Sequence, residues 1–133
     1  MVLVVSLIGL IPSTQTYTQP PPTPPIIVQV ETSALDQWIY HLSMCESGGN
    51  ELALNPKDLD GTPSKGKFQF KDCTFNHLSQ KYNIATTSIW KGDEQEQILR
   101  KMIDDPEINM AHEFPDCVRK LGLPPSGENL VSE

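Results

Sequence analysis

The stretch Cys45-Glu46-Ser47-Gly48-Gly49-Asn50 decides how this chain is read. Upstream of it, Leu35, Trp38, Ile39, Leu42 and Cys45 recur at the spacing of one helix face. Ser33 is a suitable N-cap, and Asp36 stands at the capping-box position three residues on. Gly48-Gly49 should stop the helix, because glycine enters the left-handed region without a Cβ clash. Glu46 then falls in the last turn of a helix with a buried face. Partial burial disfavours an ionised carboxylate and raises its pKa. A carboxyl that keeps its proton near neutrality can give it to a leaving oxygen. The plainer alternative is a solvated glutamate at a helix end.

Downstream, Asn55 to Gly66 reads N-P-K-D-L-D-G-T-P-S-K-G and is expected to be a long loop. Phe68-Gln69-Phe70 is expected to be a short extended piece. Helical spacing returns from about Asp72 to Tyr82 and from Asp93 to just before Pro106, with Glu96 as capping-box partner. A fourth helix is expected over Glu107 to His112 and a short turn of helix over Asp116 to Lys120. The fold class is therefore mainly α: a helical domain with a small extended element lining a cleft.

The N-terminal part differs in character. Val2 to Ile11 is apolar apart from Ser6 and Gly9, too short a run for a bilayer span of roughly 20 residues. It matches the core of an export signal, with a membrane anchor as its other fate. Gln19 to Pro25, Q-P-P-P-T-P-P, is an extended polyproline-type spacer. The expected organisation is an export or anchor segment over 1–18, a Pro-rich linker over 19–31, one domain over 32–124 and a disordered tail over 125–133. The net charge of -7 argues against non-specific nucleic-acid binding. Three cysteines leave one thiol over if two of them pair. D-x-D-G at Asp58 to Gly61 suggests calcium, but position twelve of that frame is Gln69, not glutamate, and no metal is assigned. His41, His77 and His112 are scattered and receive no role.

Three ordered motifs carry a resemblance: C-E-S-G-G-N (45–50), G-T-P-S-K-G-K-F-Q-F (61–70) and Thr74-Phe75. F-P-D-C (114–117) and Leu121-Gly122-Leu123 extend it. The chain resembles the lysozyme-like superfamily of soluble lytic transglycosylases and goose-type lysozymes, nearest to their small relatives, the resuscitation-promoting factors. The resemblance covers roughly residues 33 to 124. Lys67 stands where the family has leucine, and Phe114 where it has tryptophan.

The resemblance implies a lysozyme-like α+β fold and cleavage of peptidoglycan between N-acetylmuramic acid and N-acetylglucosamine, with Glu46 as the single catalytic acid. It implies that Ser47 shapes the helix end, that Ser64, Gln69 and Thr74 face the sugar cleft, and that Gly66 permits close backbone approach. Tyr82 and Trp90 are candidates for an aromatic sugar platform. Glycoside cleavage ordinarily needs a second carboxylate. Asp58 and Asp60 are the candidates, with turn formation as their plainer reading. The family often works without one, using the substrate's own N-acetyl or 6-hydroxyl group. Hydrolase and anhydro-forming lyase therefore both stand. The resemblance also implies a Cys45–Cys117 disulfide, leaving Cys73 as a small buried hydrophobe. The expected protein is an exported monomer of the extracellular space or cell envelope, without cofactor, acting on glycan strands. The rival expectation is a non-catalytic peptidoglycan-binding or structural envelope protein on the same fold.

Overall fold

The computed structural model describes residues 9–26 and 32–126. The chain divides into two units, Met1–Val30 and Glu31–Glu133. In the first, residues 9–26 form neither helix nor strand and are exposed. The expected export segment lies partly outside the described residues, and the expected tail mostly so. No helix among the described residues is long and apolar enough to cross a membrane.

The second unit is mainly helical: α1 (Ala34–Ser47), a hairpin of β1 (Leu54–Asn55) and β2 (Ser64–Lys65), then α2 (Asp72–Lys81), α3 (Gly92–Asp104), α4 (Met110–Glu113) and α5 (Pro115–Leu121). The α1 boundaries follow from its caps. Ser33 Oγ accepts the Asp36 N–H at 3.1 Å and donates to the Asp36 carboxylate at 2.7 Å. Asp36 thus answers the cap hydroxyl rather than the cap amide. At the other end Gly48 is left-handed (φ 66°), its N–H bonds to Met44 O, and the Gly49 N–H reaches Ser43 O. This pairing uses up carbonyls that the helix end would otherwise leave bare.

Four expectations need correction. The 55–66 loop is a β-hairpin at its ends, with Leu54 paired to Lys65 and Asn55 to Ser64. Strands of two residues cannot display an alternating pattern, so nothing in the sequence marks them. Phe68-Gln69-Phe70 is not extended. It lies in a turn that doubles the chain back, so that Lys65 and Phe70 exchange backbone hydrogen bonds. Gln69 takes φ 54° there, a left-handed value uncommon for a residue with a side chain. Glu96 does not cap α3. That helix starts at Gly92, and the Glu96 carboxylate goes instead to Arg100 and Lys67. The fourth helix begins three residues later than expected, because the Asn109 side chain caps it at Ala111 and His112.

The core is filled from every helix. Trp38, Ile39 and Leu42 of α1 join Phe75 and Leu78 of α2, Ile98, Leu99 and Met102 of α3, and Phe114, Cys117 and Val118 at the C-terminal end. Phe68 is fully buried from its turn. Full burial of each such side chain stabilises by about 1.5–3 kcal/mol relative to exposure. Three longer-range ties complete the frame. Trp38 Nε1 donates to Gly122 O, Arg100 joins α3 to Asp36 of α1, and a disulfide joins Cys45 to Cys117 across 72 residues. By chain entropy a bridge of that span contributes about 4 kcal/mol.

The hairpin is held to α3 by one side chain. Gln95, fully buried, accepts from the Phe68 N–H and donates to the carbonyls of Lys65 and Ile89. A Cβ on Gly66 (φ 81°) would stand 2.4 Å from its amide nitrogen. Replacing Gln95 by leucine should leave the Phe68 N–H and the Ile89 carbonyl without partners, Lys65 O keeping its bond from the Phe70 N–H, and destabilise by roughly 2 kcal/mol or more, measured by denaturant unfolding. Gly66→Ala should also destabilise, and less so in a Gln95→Ala background, where its clash is gone and its positive φ remains. Equal costs in both backgrounds would show that the contact is not what demands glycine.

Candidate active site

Glu46 sits two residues before the left-handed stop of α1 at Gly48, so its position is set by the helix end. Two neighbours fix that end. Cys45 bonds to Cys117 and brings α5 alongside. Ser47 Oγ donates to Lys67 O at 2.7 Å, with Ser43 O also in reach at 3.3 Å, and so ties α1 to the turn after β2. Glu46 is half-buried between these ties and opens on a groove of about 780 Å³. That volume lies within the range of ligand sites.

The hairpin loop supplies another wall of the groove, through Asn55, Asp58 and Asp60, with Ser64 beneath. Asp58 Oδ2 accepts from Ser64 Oγ at 2.6 Å, and Oδ1 accepts from the Leu59 N–H at 2.8 Å. Ser64 is almost wholly buried, so its hydroxyl serves the carboxylate more than the solvent. Asp60 accepts from both the N–H and the hydroxyl of Thr62 and pairs with Lys71. Both aspartates form turns, as their plainer reading held, and both line the groove. Gln69 and Thr74 line it as well. The Gln69 amide nevertheless spends its N–H groups on the carbonyls of Gly66 and Ala53.

The structure does not bring the other four candidates to this groove. Ser47 is engaged with backbone at the end of α1. Gly66 admits the Gln95 side chain into close approach. The Tyr82 hydroxyl donates to Asp105 at 2.8 Å, and burial with that contact pushes its pKa up to about 12. Trp90 lies under the Lys65 ammonium, 5.8 Å from the ring centre. Cys73, expected buried, is an exposed free thiol on the groove edge. Lys67 contacts an acidic partner, Glu96, at 3.4 Å.

Charged and titratable groove residues to which the sequence reading gave no site role include Lys57, Lys71, His112, Glu113, Asp116 and Lys120. For Asp116 and Lys120 a signal existed. They flank Cys117, so the disulfide that the resemblance implied places them beside Glu46. For Lys71 no local pattern pointed to the hairpin. Among the described residues no group of three or more His, Cys, Asp or Glu side chains is arranged to hold a metal ion.

The two facing carboxyls differ in state. Burial, then the negative charges of Asp58 and Asp116, push Glu46 up to about 7, against the opposing pull of Lys120. Asp58 is held below the usual carboxylate range by its bonds to Ser64 and Leu59 and by Lys71. Asp60 is held lower still by Lys71 and Thr62. Near neutral pH the groove therefore sets one carboxyl able to donate a proton beside the ionised carboxylates of Asp58 and Asp60. No family model matches the sequence, and no curated protein or solved structure matches it.

A raised folded-state pKa has a linked cost. Glu46 gives its full contribution to stability below about pH 4.5 and loses it as pH rises through about 7. Glu46→Gln should therefore match the wild type at pH 4 and exceed it at pH 8, by as much as about 3 kcal/mol. Urea unfolding of both proteins at the two pH values measures this. Equal stabilities at pH 8 would mean that the carboxylate is not strained by its surroundings.

Proposed function

We propose that the protein is a lysozyme-like glycosidase that cuts peptidoglycan strands between N-acetylmuramic acid and N-acetylglucosamine. One observation carries the reading: a half-buried carboxyl that retains its proton near neutrality opens on a groove beside an ionised, hydrogen-bonded carboxylate. Environments that push two carboxyls apart in pKa divide acid from base. Glu46 protonates the glycosidic oxygen as the bond breaks. Asp58 supports the positive charge that develops on the sugar and receives the proton of the incoming water, or attacks directly. Asp60 is spent on Lys71 and Thr62 and takes no chemical part. Ser64 holds Asp58, and Gln69 shapes the groove floor. The motif order from Cys45 to Cys117 supplies the substrate class, and the Cys45–Cys117 bond accords with an oxidising, exported setting.

Incubation with purified peptidoglycan, followed by mass spectrometry of soluble products, tests this. With Asp58 as second carboxylate the products should carry reducing ends. Anhydro-muramyl ends with an indifferent Asp58→Asn variant would instead assign the step to the substrate's 6-hydroxyl. Glu46→Gln should lower turnover by roughly 10²–10⁴-fold while wall binding in a sedimentation assay persists. No soluble muropeptides between pH 4 and 8 would sink the catalytic reading and leave a binding or structural role. Activity should fall as pH rises through about 7, when Glu46 loses its proton. It should also fall below the ordinary carboxylate range, when Asp58 gains one.

A further inference from the structure

The loop that carries Asp58 is held mostly by itself. Within it, the Asp58 N–H bonds to Thr62 O, the Gly61 N–H to Asp58 O, and the Thr62 N–H to Asp60. Ser64, at the base of the same hairpin, adds its bond to Asp58. Among the described residues, the polar contacts that reach residues 56–63 from outside the hairpin are those of Lys71. Its ammonium pairs with Asp60 Oδ2 and stands 3.9 Å from Asp58 Oδ2.

Lys71 is itself well anchored. It is the N-cap residue of α2, with extended backbone, and its carbonyl accepts the Phe75 N–H at 2.9 Å. Its side chain is about a quarter exposed, low for a lysine, because it reaches back over the groove wall to the hairpin. The charges around Asp58 explain why a cation belongs there. Asp60 lies two residues away in the same loop, and Glu46 of α1 faces the same groove. Without a cation, the Asp60 carboxylate would act unopposed to raise the pKa of Asp58, while Glu46, holding its proton, adds no charge there.

We propose that Lys71 is a positioning residue, whose bridge to Asp58 and Asp60 pins the hairpin loop to the start of α2 and so fixes the place of the Asp58 carboxylate in the groove. The proposal rests on the reading of Asp58 as the second carboxylate. Lys71 acts through Asp58, and Asp60 serves as the counterion that keeps the lysine in place. A bridge of this kind depends on charge more than on shape, so arginine should substitute for it and methionine should not.

Lys71→Met and Lys71→Arg, made in the full chain, test it by two measurements. The first is the NMR titration of the Asp58 side-chain carboxyl, which also reports whether each variant is folded. The second is the pH profile of peptidoglycan cleavage. Lys71→Met should raise the Asp58 midpoint, which Ser64 and Leu59 still hold down, and carry the acid limb with it. Below that limb the rate should fall about tenfold per unit. The limb near pH 7, set by Glu46, should stay in place, and Lys71→Arg should restore the wild-type profile. An unmoved Asp58 midpoint in folded Lys71→Met overturns the proposal, as does a uniform loss of rate at every pH that arginine does not rescue. If the wild type cleaves nothing, the glycosidase reading fails by itself. The Asp58 titration then still decides whether Lys71 holds that carboxylate.

Discussion

The groove depends on a buried amide. Gln95 carries no charge, yet it is fully removed from water and bonded to three backbone groups. Backbone N–H and C=O groups that lose water need other partners, and an unmade bond costs more than a made one contributes. By serving Lys65, Phe68 and Ile89 together, Gln95 ties β2, the turn after it and the approach to α3 to one point. Gly66 follows from this, since the amide fills the space a Cβ would need. So does the tight reversal at Gln69, which sends Phe68 and Phe70 into the core. The hairpin therefore stands at a fixed place beside α1, and a groove exists between them.

The α1 side is fixed by different means. The disulfide at Cys45 and the Ser47 hydroxyl bond to Lys67 O hold the residues on either side of Glu46. A side chain between two such anchors has little freedom to move out into water. Its burial opposes stability at the pH where the group is most useful, a pattern expected of functional sites. Most of the remaining ion pairs, those of Glu94 and Asp105 apart, join exposed or half-exposed partners, and pairs of that kind contribute little each. Packing, the buried amide and the disulfide carry the fold.

What the sequence reveals here is local. The first helix is legible from cap to stop because Ser33, the apolar stripe and Gly48 act within a few residues of one another. The mainly helical class and the position of Glu46 follow. Features set by distant partners are not legible. Tyr82 reads as a sugar platform until Asp105, 23 residues away, takes its hydroxyl. Phe68-Gln69-Phe70 reads as extended because a strand and a tight turn can both bury alternate residues. Glu96 reads as a cap because the N-cap of α3 is Lys91, two residues earlier than its spacing assumes. Lys71 shows nothing in sequence that links it to Asp58, thirteen positions before. For the groove, Glu46 and the loop aspartates were visible, Asp116 and Lys120 only through the disulfide at Cys117, and Lys71 not at all.

The contrast between Glu46 and Asp58 is a matter of donors. Both are carboxyls with similar intrinsic acidity, and both line one groove. Asp58 receives a backbone N–H, a buried hydroxyl and a nearby ammonium. Among the described residues none donates a hydrogen bond to the Glu46 carboxylate; burial and negative neighbours act on it instead. Its place in the last turn of α1 works in the same direction. The helix C-terminus is the negative end of the backbone dipole, and α1 has no basic residue in its last turn to offset it. Lys120, from α5, opposes the rise without cancelling it. The proton therefore rests on Glu46 before any ligand arrives. Burial and the distribution of hydrogen-bond donors between two walls of a groove establish that state, which is the one the proposed glycosidic cleavage would start from.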